Sequence, residues 1–221
     1  SIGGLMCLSL STRYPDRVRH VIPIASGLGV TPLQRIINFE QIFAIENDPE
    51  FAGGSYAAPG PQRGMGLARM ISQKTFVSLQ AIEDRARIEI NQPTGALSWY
   101  QLNHPLESYM LHQGDKFVRR FDANSYLRIL DAWQRFNLVQ EAGVDPLDEL
   151  LIGCRGQNYL IFGIDSDVCF YPEEQRDMAR ALDEAGVSNT RITVHSDKGH
   201  DAFLIQPELF KPYLQHVLNE F

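Results

Sequence analysis

Basic clusters, long apolar runs and paired cysteines are all scarce in this 221-residue chain. No lysine or arginine run exceeds the pair Arg119-Arg120, and the formal charge is −7. That excludes the broad positive face a nucleic-acid partner requires, and means an anionic substrate must meet a locally placed cation. No apolar stretch approaches the roughly 18 residues of a membrane span, and no charged-then-apolar leader opens the chain, so no membrane partner is expected. The three cysteines, Cys7, Cys154 and Cys169, are an odd number at no metal-ligand spacing. Cys7 and Cys169 lie in apolar sequence of the kind that buries thiols, which suits a reducing cytoplasm. What the chain does have is 44% hydrophobic residues, ordinary for a packed globular core and enough for one large domain or a domain carrying an insertion.

The pattern divides into three stretches. In the first, residues 1–30, a small apolar helix over 3–13 is broken at Tyr14-Pro15-Asp16-Arg17 and followed by a buried strand, Val18 to Ala25. The second, 31–145, is expected to be a mainly helical cap. Its helices are read at Leu33 to Asn47, Gly64 to Leu79 and Ala123 to Phe136, with a Gly- and Pro-rich loop over 53–61. The third, 146–221, alternates strand and helix. Asn158 to Ile164 is a continuous apolar run, Pro172 to Ala185 an amphipathic helix stopped by Gly186, and Thr190 to His195 a second strand. Pro207 to Phe221 then reads as a closing helix made irregular by Pro212. Strand and helix in alternation imply an α/β fold with parallel pairing and right-handed crossovers.

Three segments carry chemistry in the order Ser, Asp, His, which is one of the orders in which nucleophilic triads occur. Ser1-Ile2-Gly3-Gly4 offers a hydroxyl ahead of a helix, with the Ile2 amide at the helix N-terminus as an oxyanion donor. The plain alternative for Ser1 is an ordinary helix cap. His200, in Gly199-His200-Asp201, follows a strand and belongs at the sheet edge where ligands gather in open α/β folds. His20, His195 and His216 fall in a strand, at a strand end and in a helix, as structural histidines do. The acid that orients His200 must follow the preceding strand, where both Asp165 and Asp167 stand. A turn beginning at Ser166 would favour Asp167.

These segments and several others resemble the homoserine O-acyltransferases, the MetX-type branch of the α/β-hydrolase superfamily. The likeness is carried by Ser1-Ile2-Gly3-Gly4 with Arg13-Tyr14-Pro15-Asp16-Arg17-Val18, by Asn47-Asp48-Pro49 with Gly53-Gly54-Ser55-Tyr56, and by Gly66-Leu67-Ala68-Arg69-Met70. It continues through Lys116-Phe117, Arg120-Phe121-Asp122-Ala123-Asn124-Ser125-Tyr126-Leu127, Asp165-Ser166-Asp167 and Gly199-His200-Asp201-Ala202-Phe203-Leu204. The resemblance implies an α/β-hydrolase core with an inserted helical cap, no bound cofactor, and an acyl-CoA such as acetyl-CoA as co-substrate. It implies acylation of Ser1 and transfer to the hydroxyl of homoserine, with His200 as base and Asp167 orienting it. Arg69 matches the family's carboxylate-binding arginine and Asp201 the aspartate that holds the substrate ammonium. A homodimer of the full-length protein is implied as well. The resemblance also makes this chain the C-terminal part of a larger enzyme, expected to expose an apolar sheet edge and to be poorly soluble or inactive alone.

The chain departs from the family at Leu5-Met6-Cys7-Leu8-Ser9-Leu10 and by a longer loop over Asp167 to Pro172, which leaves the donor (acetyl or succinyl) and the acceptor (homoserine, serine or another alcohol) open. Competing readings are a serine esterase on the same triad, an N-terminal-nucleophile hydrolase using the Ser1 amine, and a noncatalytic protein that retains the fold. No phosphate-binding glycine loop and no metal constellation is visible in the sequence.

Overall fold

A computed structural model describes residues 1–88 and 97–219. In chain order the elements are α1 (Ile2–Arg13), β1 (His20–Val21), α2 (Pro32–Glu46), α3 (Gln62–Phe76), α4 (Leu79–Ile88), α5 (Pro105–Val118), α6 (Ala123–Arg135) and α7 (Leu138–Ala142). There follow α8 (Leu147–Ile152), β2 (Asn158–Ile164), α9 (Pro172–Ala185), β3 (Ser188–Val194), α10 (Ala202–Ile205) and α11 (Lys211–Asn219). They form two compact units, Ser1–Val30 with Phe136–Phe221, and Thr31–Arg135. The segment 136–145, expected with the cap, falls in the first unit because α7 packs against α1 and α8 against α9.

In the first unit the strands lie in the order β1-β2-β3, all parallel, with His20 opposite Asn158 and Asn158 opposite Ser188. β2 is central and buried from Tyr159 onward, as its uninterrupted apolar sequence requires. β1 is far shorter than the run Val18 to Ala25. Pro23 has no N–H to give to a ladder, and Ala25 turns to a positive φ of 48°. The chain nonetheless stays alongside β2: Ile24 bridges Phe162, whose N–H donates to Pro23 O and whose carbonyl accepts from Ala25 N. The closing helix, read from Pro207, opens as a 3-10 turn at Pro207–Leu209 and continues as α11, where Pro212 is tolerated in the first turn, and the short α10 precedes both. Leu160, Phe162, Ile164, Val194, Ala202 and Phe210 form the buried core of this face of the sheet.

α1 buries Gly4, Leu5, Leu8, Ser11 and Thr12. Cys7 lies on the opposite face with Met6 and Leu10 and is exposed, so its apolar neighbours in sequence do not bury it; Cys154 and Cys169 are buried and all three are free thiols. No described helix is long and apolar enough to cross a membrane.

The regular elements among the described residues of the second unit are all helices. α2 opens on a capping box formed by Thr31 and Gln34, and packs on α3 and α6 around Ile45, Met65, Ala68, Phe117, Tyr126 and Leu130. Gly64 lets α2 and α3 touch: a Cβ there would stand 2.5 Å from Ala44 O. Two of the distinctive segments bind each other here. Tyr56 Oη donates to Asp122 Oδ2 (2.5 Å), Asn124 N donates to Tyr56 Oη (3.0 Å), and Asn124 Nδ2 donates to Gly54 O (2.9 Å). Asp122 also caps α6 through Ser125 N.

Candidate active site

Three separate chain segments lie at one edge of the sheet, and each delivers one candidate. Ser1 precedes α1, and its backbone nitrogen donates to Ala25 O and to Ile24 O (2.6 Å), which fastens it to the end of the β1 segment. Asp167 follows β2 and His200 follows β3, the next strand across.

A turn closes β2, with Asp167 N donating to Ile164 O at 3.1 Å, and it swings Asp167 away from the strand direction. Its Oδ2 accepts from His200 Nδ1 at 2.7 Å, and its Oδ1 accepts from Cys169 N (2.7 Å) and Phe170 N (2.9 Å). Both side chains are sealed from water, 0% exposed for Asp167 and 4% for His200. A buried carboxylate holding Nδ1–H leaves Nε2 as the basic nitrogen of the ring, the tautomer a general base needs. The ring is fixed on its flanks by Phe170, stacked at 5.6 Å, and Phe203, edge-on at 5.6 Å. These two aromatic supports were not singled out from the sequence, although both stand in apolar runs directly beside the candidate acid and base.

Asp165, the other carboxylate considered, turns instead to His195, accepting from Nδ1 at 2.8 Å and from Ser196 N at 3.0 Å. Burial by itself would raise its carboxyl, but those donors outweigh it and hold the group below the ordinary carboxylate range. His20 lines a groove at the opposite end of the sheet together with His216, Tyr213 and Asn158.

Ser1 occupies the N-cap position of α1, yet its side chain makes no capping hydrogen bond, so the plain helix-cap reading does not account for it. Ile2 is the first residue of α1, with its amide among the unpaired donors of a helix start. The approach beneath this turn is tight: a Cβ on Gly4 would lie 2.4 Å from Ser26 Cβ. Asp201 follows His200 and stands at the N-cap of α10 without bonding its amides. Arg69 is carried by the second unit, on α3, with its guanidinium over the rings of Phe76 (5.2 Å) and Phe117 (5.4 Å).

Residues 1–207 match the alpha/beta hydrolase fold family. The chain belongs to that family. Among curated relatives it is 34% identical over 215 residues to a homoserine O-acetyltransferase from Mesorhizobium japonicum, covering 95% of this chain and 54% of that protein. It is 32% identical over 221 residues to a homoserine O-succinyltransferase from Nitrosomonas europaea, covering 99% of this chain and 58% of that protein. This α/β-hydrolase chain thus spans little more than half the length of the curated relatives it matches. It superposes on a homoserine O-acetyltransferase structure from Bacillus anthracis with a TM-score of 0.87 at 22% identity, covering 99% of this chain and 58% of that one, a likeness of fold.

Proposed function

We propose that this chain carries the catalytic residues of an O-acyltransferase that moves an acyl group from acyl-CoA to the hydroxyl of homoserine or a related amino-acid alcohol, through a Ser1 acyl-enzyme. The observation that carries the reading is the buried 2.7 Å contact between His200 Nδ1 and Asp167 Oδ2, at the sheet edge where Ser1 is also tied. In the first half-reaction His200 Nε2 takes the Ser1 hydroxyl proton as Oγ attacks the thioester carbonyl. The negative charge that develops on that oxygen falls toward the Ile2 amide at the start of α1. The C–S bond then breaks, and His200 returns the proton to the departing thiolate. In the second half His200 takes the proton of the acceptor hydroxyl, the acceptor oxygen attacks the acyl carbon, and the proton goes back to Ser1 Oγ as the ester bond to Ser1 breaks. Arg69 supplies a planar pair of donors for the acceptor carboxylate, and Asp201 a charge for its ammonium.

The test is to supply the intact protein with acetyl-CoA or succinyl-CoA, with and without homoserine or serine, and to follow free thiol. Sustained thiol release, beyond the one equivalent of the acylation burst, that requires an amino-acid alcohol and vanishes in Ser1→Ala supports the reading. Equal release without acceptor marks a hydrolase, and unchanged release in Ser1→Ala removes Ser1 from the chemistry. Relatives carry both acetyl and succinyl names, so the donor pair is assayed side by side.

A further inference from the structure

The turn after β2 grips the His200 loop at three consecutive residues. Asp165 accepts from His195 Nδ1 (2.8 Å) and Ser196 N (3.0 Å), Ser166 Oγ accepts from Gly199 N (3.0 Å), and Asp167 Oδ2 accepts from His200 Nδ1 (2.7 Å). Only the last of these belongs to the reaction described above. The other side of the same loop is stapled as well: Ser196 Oγ donates to Gln206 Oε1 at 2.6 Å and accepts from Lys198 N at 3.1 Å, so the loop is held between the β2 turn and the segment after α10.

We propose that Asp165 and Ser166 are positioning residues for His200, acting through the backbone of residues 196–199 to fix the ring against Asp167. The inference rests on the triad reading, but not on the identity of donor or acceptor. The backbone arms matter most. Ser196 N and Gly199 N are fixed points of the loop, and Gly199 sits at a φ of +76°, a conformation glycine adopts without steric cost. The His195 arm is weaker, since that side chain is 83% exposed and its pairing competes with water. The order of importance is therefore Asp165 and Ser166 ahead of His195, which distinguishes a clasp on the backbone from a second acid–histidine pair with chemistry of its own. Precise placement matters because an ångström of displacement of a base is costly in rate.

The experiment uses the intact protein and two readouts that need no acyl acceptor. One is the downfield proton resonance of His200 Nδ1–H, assigned by its loss in Asp167→Asn. The other is the rate at which a fluorophosphonate labels Ser1. Asp165→Ala and Ser166→Ala are expected to stay folded, Asp165→Ala with a lowered melting temperature, to broaden or shift that resonance, and to label about 10- to 100-fold more slowly. His195→Ala is expected to change labelling by no more than about twofold, and Asp165→Glu to recover part of the loss. Wild-type resonance and labelling in Asp165→Ala and Ser166→Ala would overturn the proposal, as would a His195→Ala loss equal to theirs. Should Asp165→Ala not fold, Ser166→Ala carries the comparison alone. Failure of the wild-type protein to label at Ser1 refutes the nucleophile, while the resonance still reports on the clasp.

Discussion

Replacing Asp167 separates what that carboxylate does for the fold from what it does for His200. Its Oδ1 accepts from two buried amides, Cys169 N and Phe170 N, while Oδ2 faces His200 Nδ1. Asp167→Ala strands both amides without solvent, at about 1–3 kcal/mol each, so about 2–6 kcal/mol of stability is at stake. Against a usual total of about 5–15 kcal/mol that approaches unfolding. Asp167→Asn is different. Its amide oxygen still accepts from both N–H groups, so the cost in stability should stay near about 1–2 kcal/mol. Its NH2 now points at Nδ1, however, which favours the imidazole tautomer with the proton on Nε2, and that ring cannot take a proton from Ser1. A loss of about 1,000- to 10,000-fold in Ser1 acylation is expected, equal to about 4–5.5 kcal/mol of barrier at about 1.36 kcal/mol per decade. Urea midpoints and the burst of thiol from acyl-CoA measure the two effects on the same samples. An asparagine variant that acylates within about tenfold of wild type would refute the assignment of Asp167 as the orienting acid.

Gly4→Ala should destabilise by about 1–3 kcal/mol and slow acylation, because its Cβ would lie 2.4 Å from Ser26 Cβ under the Ser1 turn; urea denaturation and burst kinetics check both. Ser26→Ala, by contrast, removes a buried hydroxyl with no hydrogen-bond partner among the described residues, and should leave stability within about 1 kcal/mol of wild type or raise it. Arg69→Lys should raise the acceptor KM by about 10- to 100-fold, the worth of about 1.5–3 kcal/mol for hydrogen bonds to a charged group, while the acylation burst is unchanged. The Asp165 carboxyl is held low in the folded state, so the stability it contributes is present above its unfolded value of about 3.9 and is lost as pH falls through the lower folded value. Below about pH 4 the urea midpoint of wild type should therefore fall toward that of Asp165→Asn, and at neutral pH it should exceed it.

Much of this arrangement was legible in the sequence where chemistry and periodicity agreed. β2 was read at its observed bounds from an unbroken apolar run, and α9 from Pro172 and Gly186 at its two ends. The choice between Asp165 and Asp167 depended on a turn that sequence could only pose as a condition; the 3.1 Å bond from Asp167 N to Ile164 O supplies it. α5 went unread although its start carries a visible signal, Pro105 at the first position with His104 and Glu107 forming a capping box. A histidine is an unusual cap, and the apolar spacing beyond it is weak. The strand over Val18 to Ala25 was overread because hydrophobicity reports burial, not a hydrogen-bond ladder, and Pro23 and Ala25 interrupt the ladder while staying buried or nearly so. Cys7 failed for a related reason: on a helix, apolar neighbours in sequence point in several directions, and the buried face was set by Leu5, Leu8 and Thr12.

Distinctive sequence and chemical function do not coincide along this chain. The segment Arg120 to Leu127 is among its most specific signatures, yet Asp122 and Asn124 spend their polar groups on Tyr56, Gly54 and the start of α6. Asp48 does the same for Glu50 N and Gly64 N. Such side chains close loops against helices within the second unit, and they tolerate little change because each satisfies two groups at once. In the first unit the same economy acts at the candidate site, where Asp167 holds two amides and one ring, and Asp165 holds a ring and an amide. A carboxylate with several fixed donors cannot relax when one is removed, so the cost of substituting it is shared between fold and rate. The ratio of those costs, read from paired alanine and amide variants, tells a structural carboxylate from one that orients a base: in the first the amide variant recovers the lost activity, in the second it recovers only the fold.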